Sequence, residues 1–290
     1  MPGNPAAKTA FGPMVLSAIE HQELPDRRLV DDDLAESFLP KPLRALVRAT
    51  RFRVVRRAVI AASERAGPGL WANLSCRKSY IDDNLAESLP SVEAVVILGA
   101  GLDTRAYRLA RDRDVPVFEV DLPVNITRKR AIVSRVFGKV PPSVRLVSVD
   151  FEHDDLMATL ASYGYRVDSP TFFVWEGVTQ YLTANAVRAT FDQLAHAASG
   201  SRIDFTYVRK DFIDGVNLYG APVLFEKFRK RSQVWKFGML PDDVEGFLAG
   251  YGWRLIEQAG PDELMDRYVR PAGRNLTTSQ IEWSVYAEKI

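Results

Sequence analysis

The chain has 290 residues, 47% of them apolar and 26% charged, with a formal net charge of +1. That length buries a substantial core in one large domain or two modest ones, and the composition is ordinary for a soluble globular protein. A charge near zero argues against bulk attraction to nucleic acid or membrane, and a single cysteine, Cys76, excludes an internal disulfide and a cysteine-based zinc cluster, as fits a reducing cytoplasm. The three histidines, His21, His153 and His196, are far apart and show no metal-ligand spacing. There is no basic n-region followed by a long apolar stretch, and no apolar run long enough to span a bilayer.

The first ten residues are predicted to be disordered. From about Leu16 to Leu74 the pattern is helical. Leu43, Leu46, Val47, Val54, Val55, Ala58 and Ala62 recur at roughly helical spacing, and Gly67-Pro68-Gly69 is a stop signal. Residues 1–75 thus form a predicted helical cap ahead of a larger domain over 76–290. The cap is rich in arginine: Arg44, Arg48, Arg51, Arg53, Arg56, Arg57 and Arg65. Such a face either docks an anionic partner or is solvated and partly neutralised by Asp31, Asp32, Asp33 and Glu36. Charge runs on helices are commonly of the second kind.

After Ser91 short, β-branched apolar runs alternate with helical stretches. The predicted strands are 94–98, 115–120, 144–149, 171–175 and 202–208, then 253–258 and 282–287. Alternation of this kind indicates βαβ units and a parallel sheet, and continuous apolar runs fit strands covered on both faces. The last two strands are expected to be an antiparallel pair ending the sheet. Residues 210–240 are irregular and aromatic, with Phe212, Tyr219, Phe225, Phe228, Trp235 and Phe237. They read as an inserted lid whose rings either line a pocket or pack on the core.

The first strand runs into "LGAGLDTRAYRL". Gly99 and Gly101 permit a sharp turn and a close ligand approach, in the crevice where open parallel sheets bind ligands. Dinucleotide fingerprints place a third glycine where this chain has Thr104, and Asp103 would repel a pyrophosphate. Asp103 suits an ammonium or sulfonium better; a turn serving only strand-to-helix packing is the structural alternative. Asp121 ends strand two in "VFEVDLP", about twenty residues on, where a carboxylate can accept from ribose hydroxyls. Glu119 shares its side-chain parity but lies further from the strand end. Asp150 and Phe151 end strand three in "VSVDFEHD" and could hold an adenine by its amine and by stacking. Glu176 ends strand four in "FFVWEGVTQYL", and a buried carboxylate there requires a partner, a ligand ammonium or a neighbouring arginine. Any one of these has a local explanation such as a helix cap. Together they favour a nucleoside ligand without phosphates and with a positive end, as in S-adenosyl-L-methionine.

These four ordered motifs resemble those of the leucine carboxyl methyltransferase family and of actinobacterial S-adenosylmethionine-dependent methyltransferases, over roughly residues 77–289. The resemblance implies a class I methyltransferase fold: a Rossmann-like seven-stranded α/β sheet with a helical N-terminal cap and a lid. It further implies that Gly99 and Gly101 approach the methionine part of the cofactor, Asp121 takes the ribose, Asp150 and Phe151 the adenine, and Glu176 the amino end. Arg77, in "SCRKSYIDD", matches a cap arginine that grips the cofactor carboxylate; an internal ion pair with Asp82 or Asp83 is the alternative. Relatives often carry arginine directly after the acid–hydrophobe pair of strand three. Here that position is Glu152, and Arg105, Arg108 or Arg209 would have to replace that arginine for an anionic acceptor.

The expected reaction is methyl transfer from S-adenosyl-L-methionine to an oxygen of a small-molecule acceptor, a carboxylate in preference to a hydroxyl or phenol, with no nucleic acid and no membrane as partner. A carboxylate needs no general base, whereas a phenol invites one. His153, three residues past Asp150, is the histidine nearest a strand tip and Tyr181 follows strand four; both are candidate catalytic residues, with surface exposure and helix capping as their structural alternatives. Cys76 reads as a small buried hydrophobe. Two other classes remain open at this stage: a nicotinamide-dependent oxidoreductase, and a non-catalytic protein whose Arg44–Arg57 helix binds an anion.

Overall fold

The computed structural model describes residues 10–290, so nine of the ten N-terminal residues predicted to be disordered lie outside the described residues. In chain order, α1 (Phe11–Glu20), α2 (Ala35–Phe38), α3 (Lys41–Ala49), α4 (Arg53–Ala66) and α5 (Leu70–Ser88) precede β1 (Ala94–Leu98). Then come α6 (Arg105–Asp112), β2 (Val117–Asp121), α7 (Pro123–Phe137), β3 (Val144–Ser148), α8 (Leu156–Ser162), β4 (Thr171–Trp175), α9 (Ala184–Leu194) and β5 (Arg202–Val208). After α10 (Lys210–Ile213), α11 (Pro222–Phe225) and α12 (Val244–Ala249), the chain closes with β6 (Trp253–Ala259), α13 (Pro261–Leu264) and β7 (Glu282–Lys289).

One seven-stranded sheet results, in the order β3-β2-β1-β4-β5-β7-β6. The first five strands are parallel, and β7 is antiparallel to both β5 and β6. The reason lies in the strands themselves. Every residue of β1, β2 and β4 is buried. Along β1, Val95 and Ile97 enter a core shared with α1, α2, α5, α6 and α7, whereas Ala94, Val96 and Leu98 enter one shared with α8, α9 and α12. A period of two that is apolar at both phases needs helices on both faces.

Some boundaries moved. β2 begins at Val117 rather than 115: the ladder opens with Val95 N–H on the Pro116 carbonyl, and proline has no N–H to continue it. It then runs to Asp121, while β6 and β7 extend to Ala259 and Lys289. The helix α5 crosses residue 75, the expected end of the cap, and α1 shares its core with the sheet. Of the apolar positions predicted to line the α3–α4 face, only Val47 is buried, and Val54 is 80% exposed. The spacing is helical, but α4 rests on the core through Val59 and Ile60 instead. Among the described residues no helix is long and apolar enough to cross a membrane.

Residues 210–240 carry a small cluster of their own. Phe212, Leu224 and Trp235 are buried together, with Tyr181, Tyr219, Phe225 and Phe228 packed against them. Trp235 stacks on Phe228 at 4.6 Å between ring centroids. Lys236 N–H donates to the Gln180 carbonyl at 2.6 Å, which ties this segment to the turn after β4.

Candidate active site

The parallel strands end on one edge, so the turns after β3, β2, β1 and β4 stand side by side in that order. The strand order reverses between β1 and β4, a topological switch point and the usual ligand crevice of open α/β sheets.

The turn after β1 holds Gly99 at φ +73° and Gly101 at φ +42°. A Cβ on Gly99 would lie 2.3 Å from Val178 Cγ2, so the missing side chain lets the turn after β4 close against it. Gly101 donates its N–H to Asp121 Oδ2 at 2.6 Å. Asp121 Oδ1 accepts from Leu122 N–H and Asn125 Nδ2, each at 2.7 Å. A carboxylate has about four acceptor positions, so these three donors leave Asp121 about one more. Glu119, two residues back on the same face, is fully buried against Lys129 at 2.7 Å and Tyr107. Burial pushes its carboxyl upward despite Lys129. Lys129 also holds the Asp103 carbonyl at 2.6 Å, bracing the glycine turn from beneath. Of the two acids on this strand, only Asp121 reaches the edge.

On the turn after β3, Asp150 accepts from Glu152 N–H at 3.0 Å and faces His153 Nδ1 at 3.1 Å. The His153 side chain is 76% exposed. Phe151 leans on the buried Trp175 ring, 6.0 Å away. Glu152 accepts from Thr183 N–H and Oγ1 at 2.9 and 2.8 Å, anchoring the start of α9. Its negative charge therefore serves the fold. Tyr181 is half-buried at the end of the turn 179–181, against the Phe212–Trp235 cluster.

Glu176, just past β4, sits in a chain of alternating charge. Arg77 Nε donates to Glu176 Oε1 at 2.9 Å and Arg77 Nη1 to Glu282 Oε2 at 2.5 Å. Arg105 Nη1 donates to Glu176 Oε2 at 2.6 Å, and the same guanidinium reaches Asp82 and Asp103. Burial opposes ionisation of Glu176, but Arg105 and Arg77 outweigh it and hold the carboxyl below its ordinary range. Arg77 is thus paired internally, with Glu176 and Glu282 and not with Asp82 or Asp83. Gly177, at φ +67°, makes room: a Cβ there would meet Arg77 Nη2 at 3.0 Å. From the cap, buried Asp32 takes Lys78 Nζ at 2.6 Å and Thr104 Oγ1 at 2.7 Å, pinning the N-terminal segment to α5 and the glycine turn.

Several expectations change here. Asp103 faces Arg105, whose backbone N–H it accepts at 2.7 Å, rather than a free cleft. Arg105 and Arg108 are committed to internal carboxylates and do not replace an anion-receiving arginine. Arg209 pairs with Asp211 but stays partly exposed just after β5, beside the Tyr219 ring. Cys76 is buried, and burial raises its thiol. Sequence reasoning missed Glu282 altogether, and read Asp32 only as a neutraliser of the arginine-rich helix. One cleft of about 430 Å³ is lined by residues between 213 and 233 and by none of the strand-tip acids.

A family model described as leucine carboxyl methyltransferase matches residues 10–195. A Streptomyces coelicolor protein is 32% identical over 194 residues, 66% of each chain. A Frankia alni protein is 32% identical over 215 residues, 70% of this chain and 68% of its own. One from Mycobacteroides abscessus is 28% identical over 268 residues, 86% of this chain and 84% of its own. All three are named as candidate S-adenosyl-L-methionine-dependent methyltransferases. The crystal structure of a candidate methyltransferase from Thermobifida fusca, 16% identical, has a TM-score of 0.57 and covers 98% of this chain and 97% of its own, a likeness of fold. The chain belongs to the leucine carboxyl methyltransferase family and is an S-adenosyl-L-methionine-dependent methyltransferase.

Proposed function

We propose that the enzyme methylates an oxygen of a small-molecule acceptor and that this oxygen belongs to a carboxylate. The observation that carries the reading is the chemistry of the strand-tip edge. Its one histidine, His153, projects into solvent against Asp150, and the acids there are engaged by guanidinium and backbone donors. A carboxylate is already ionised at neutral pH and needs no base, whereas a phenol with a pKa near 10 would need one.

The residues fit the methyl donor. The open acceptor position of Asp121 suits a ribose hydroxyl. Asp150 and Phe151, on the adjacent turn, suit the amine and face of an adenine. Arg77 and Glu176 suit an α-carboxylate and an α-ammonium, and Gly99 and Gly101 bring backbone close to the ligand. The cofactor supplies an electrophilic methyl on a positively charged sulfur. The chain's part is alignment and exclusion of water. Holding reactants at near-attack distance removes up to about 7–11 kcal/mol of barrier. A carboxylate about 4 Å from a cation is attracted by about 1 kcal/mol in water and about 4 kcal/mol at an effective dielectric near 20. Cap and lid thus influence both binding and rate, and Tyr181, beneath the lid, orients the acceptor.

The test is incubation with S-adenosyl-L-methionine and a panel of carboxylic acids and phenols, read by mass spectrometry and as rate against pH. A gain of one methyl on an acid, at a rate flat from about pH 6 to 9, is expected. Methylation of phenols alone, with a rate that rises through a single pKa, overturns the carboxylate reading.

A further inference from the structure

The ion pairs around Arg77 form a line: Glu282, Arg77, Glu176, Arg105, alternating in sign. Glu282 begins β7, opposite Val208 in the antiparallel ladder, and lies beyond the residues matched by the family model. It is 8% exposed, and its Oε1 is buried with no hydrogen-bond partner among the described residues. Arg77 is therefore the one charged partner of this buried carboxylate among the described residues.

We propose that Glu282 is a positioning residue for cofactor recognition: it retains Arg77 while the amino-acid end of the cofactor inserts between Arg77 and Glu176. This rests on the reading of Arg77 and Glu176 given above. The charges explain why insertion is possible. A zwitterion offers one carboxylate and one ammonium. Placed between Arg77 and Glu176, it turns the line into Glu282, Arg77, ligand carboxylate, ligand ammonium, Glu176, Arg105. Alternation survives, and each ion between Glu282 and Arg105 keeps two neighbours of opposite sign. Arg105 holds Glu176 from one side throughout, and Glu282 holds Arg77 from the other. Without Glu282, Arg77 has a single buried partner in the free enzyme, Glu176, and follows that carboxylate when the ligand needs it to part. Removing one partner of a buried pair leaves the other poorly compensated.

The test compares two ligands on the full chain by calorimetry: S-adenosylhomocysteine, which has the amino-acid end, and 5′-methylthioadenosine, which lacks it. In Glu282→Gln, affinity for S-adenosylhomocysteine is expected to fall about tenfold or more, with that for methylthioadenosine unchanged within twofold. Glu282→Asp, which keeps the charge, should recover part of the loss. Retained methylthioadenosine binding shows that the variant is folded, so the difference between ligands is not a stability effect. Equal losses for both ligands, no loss for either, or a variant too unfolded to bind methylthioadenosine when Glu282→Asp behaves as wild type overturn the proposal. If the wild-type protein binds the two ligands equally well, the reading of Arg77 and Glu176 fails, and this inference fails with it.

Discussion

Replacing Asp121 gives the sharpest single-residue prediction. Its carboxylate takes Gly101 N–H at 2.6 Å and Leu122 N–H and Asn125 Nδ2 at 2.7 Å, so it braces the glycine turn as well as facing the crevice. Asp121→Ala removes the proposed ribose contact, worth about 1.5–3 kcal/mol for a hydrogen bond to a charged group. That corresponds to an S-adenosylhomocysteine Kd raised about 10- to 150-fold. It also strands three donors, with a further loss of about 1–3 kcal/mol for each that water cannot reach. Asp121→Asn separates the two effects. An amide keeps one acceptor oxygen; if that oxygen serves Leu122 and Asn125, its NH₂ meets the Gly101 N–H donor to donor. Stability should therefore fall less than in the alanine variant, while the Kd still rises at least about tenfold. Calorimetry with S-adenosylhomocysteine and thermal melts measure both. A lowered Tm with an unchanged Kd in both variants would refute the ribose role and leave Asp121 a strut of the turn.

Gly177→Ala puts a methyl 3.0 Å from Arg77 Nη2 at a backbone φ of +67°, and should lower both stability, by about 1–3 kcal/mol, and S-adenosylhomocysteine affinity; unchanged melts and Kd contradict the packing argument. Burial raises the Asp204 carboxyl well above its ordinary range, despite the bond from Asn84 Nδ2 at 2.8 Å. The folded chain then holds a proton that the unfolded chain releases. Stability from this group is present below about pH 4 and is lost as pH rises through the folded value, by up to about 1.4 kcal/mol per pH unit. Asp204→Asn should remove that slope and gain in Tm over wild type as pH rises; parallel Tm–pH curves contradict it. Trp235→Ala empties the lid cluster, a change of about 3–5 kcal/mol for a buried tryptophan. Limited proteolysis should then cut within 210–240 first, and a cleavage pattern like that of wild type counts against an independent lid cluster.

Much of the sheet was legible because its signals are local. The strands 94–98, 171–175 and 202–208 are read directly from apolar, β-branched runs, and they match the observed bounds. A residue at a strand tip is located as soon as its strand is, which is why Asp121, Asp150 and Glu176 come to one edge as expected. Pairings made by the fold were not legible. Arg77 and Glu282 are separated by 205 residues, and no spacing rule connects them. Arg105 lies inside the glycine motif, yet its three carboxylates come from α5, the glycine turn and the turn after β4. The α3–α4 pattern shows a different gap: periodicity says that a face exists but not what covers it, so Val54 fits the pattern and remains exposed.

A crystal structure of the enzyme with S-adenosylhomocysteine tests the central claim most directly. The adenine should lie at Asp150 and Phe151, the ribose on Asp121, and the amino-acid end between Arg77 and Glu176. A ligand bound elsewhere, with the Arg77–Glu176 pair intact and the strand-tip acids untouched, would contradict it.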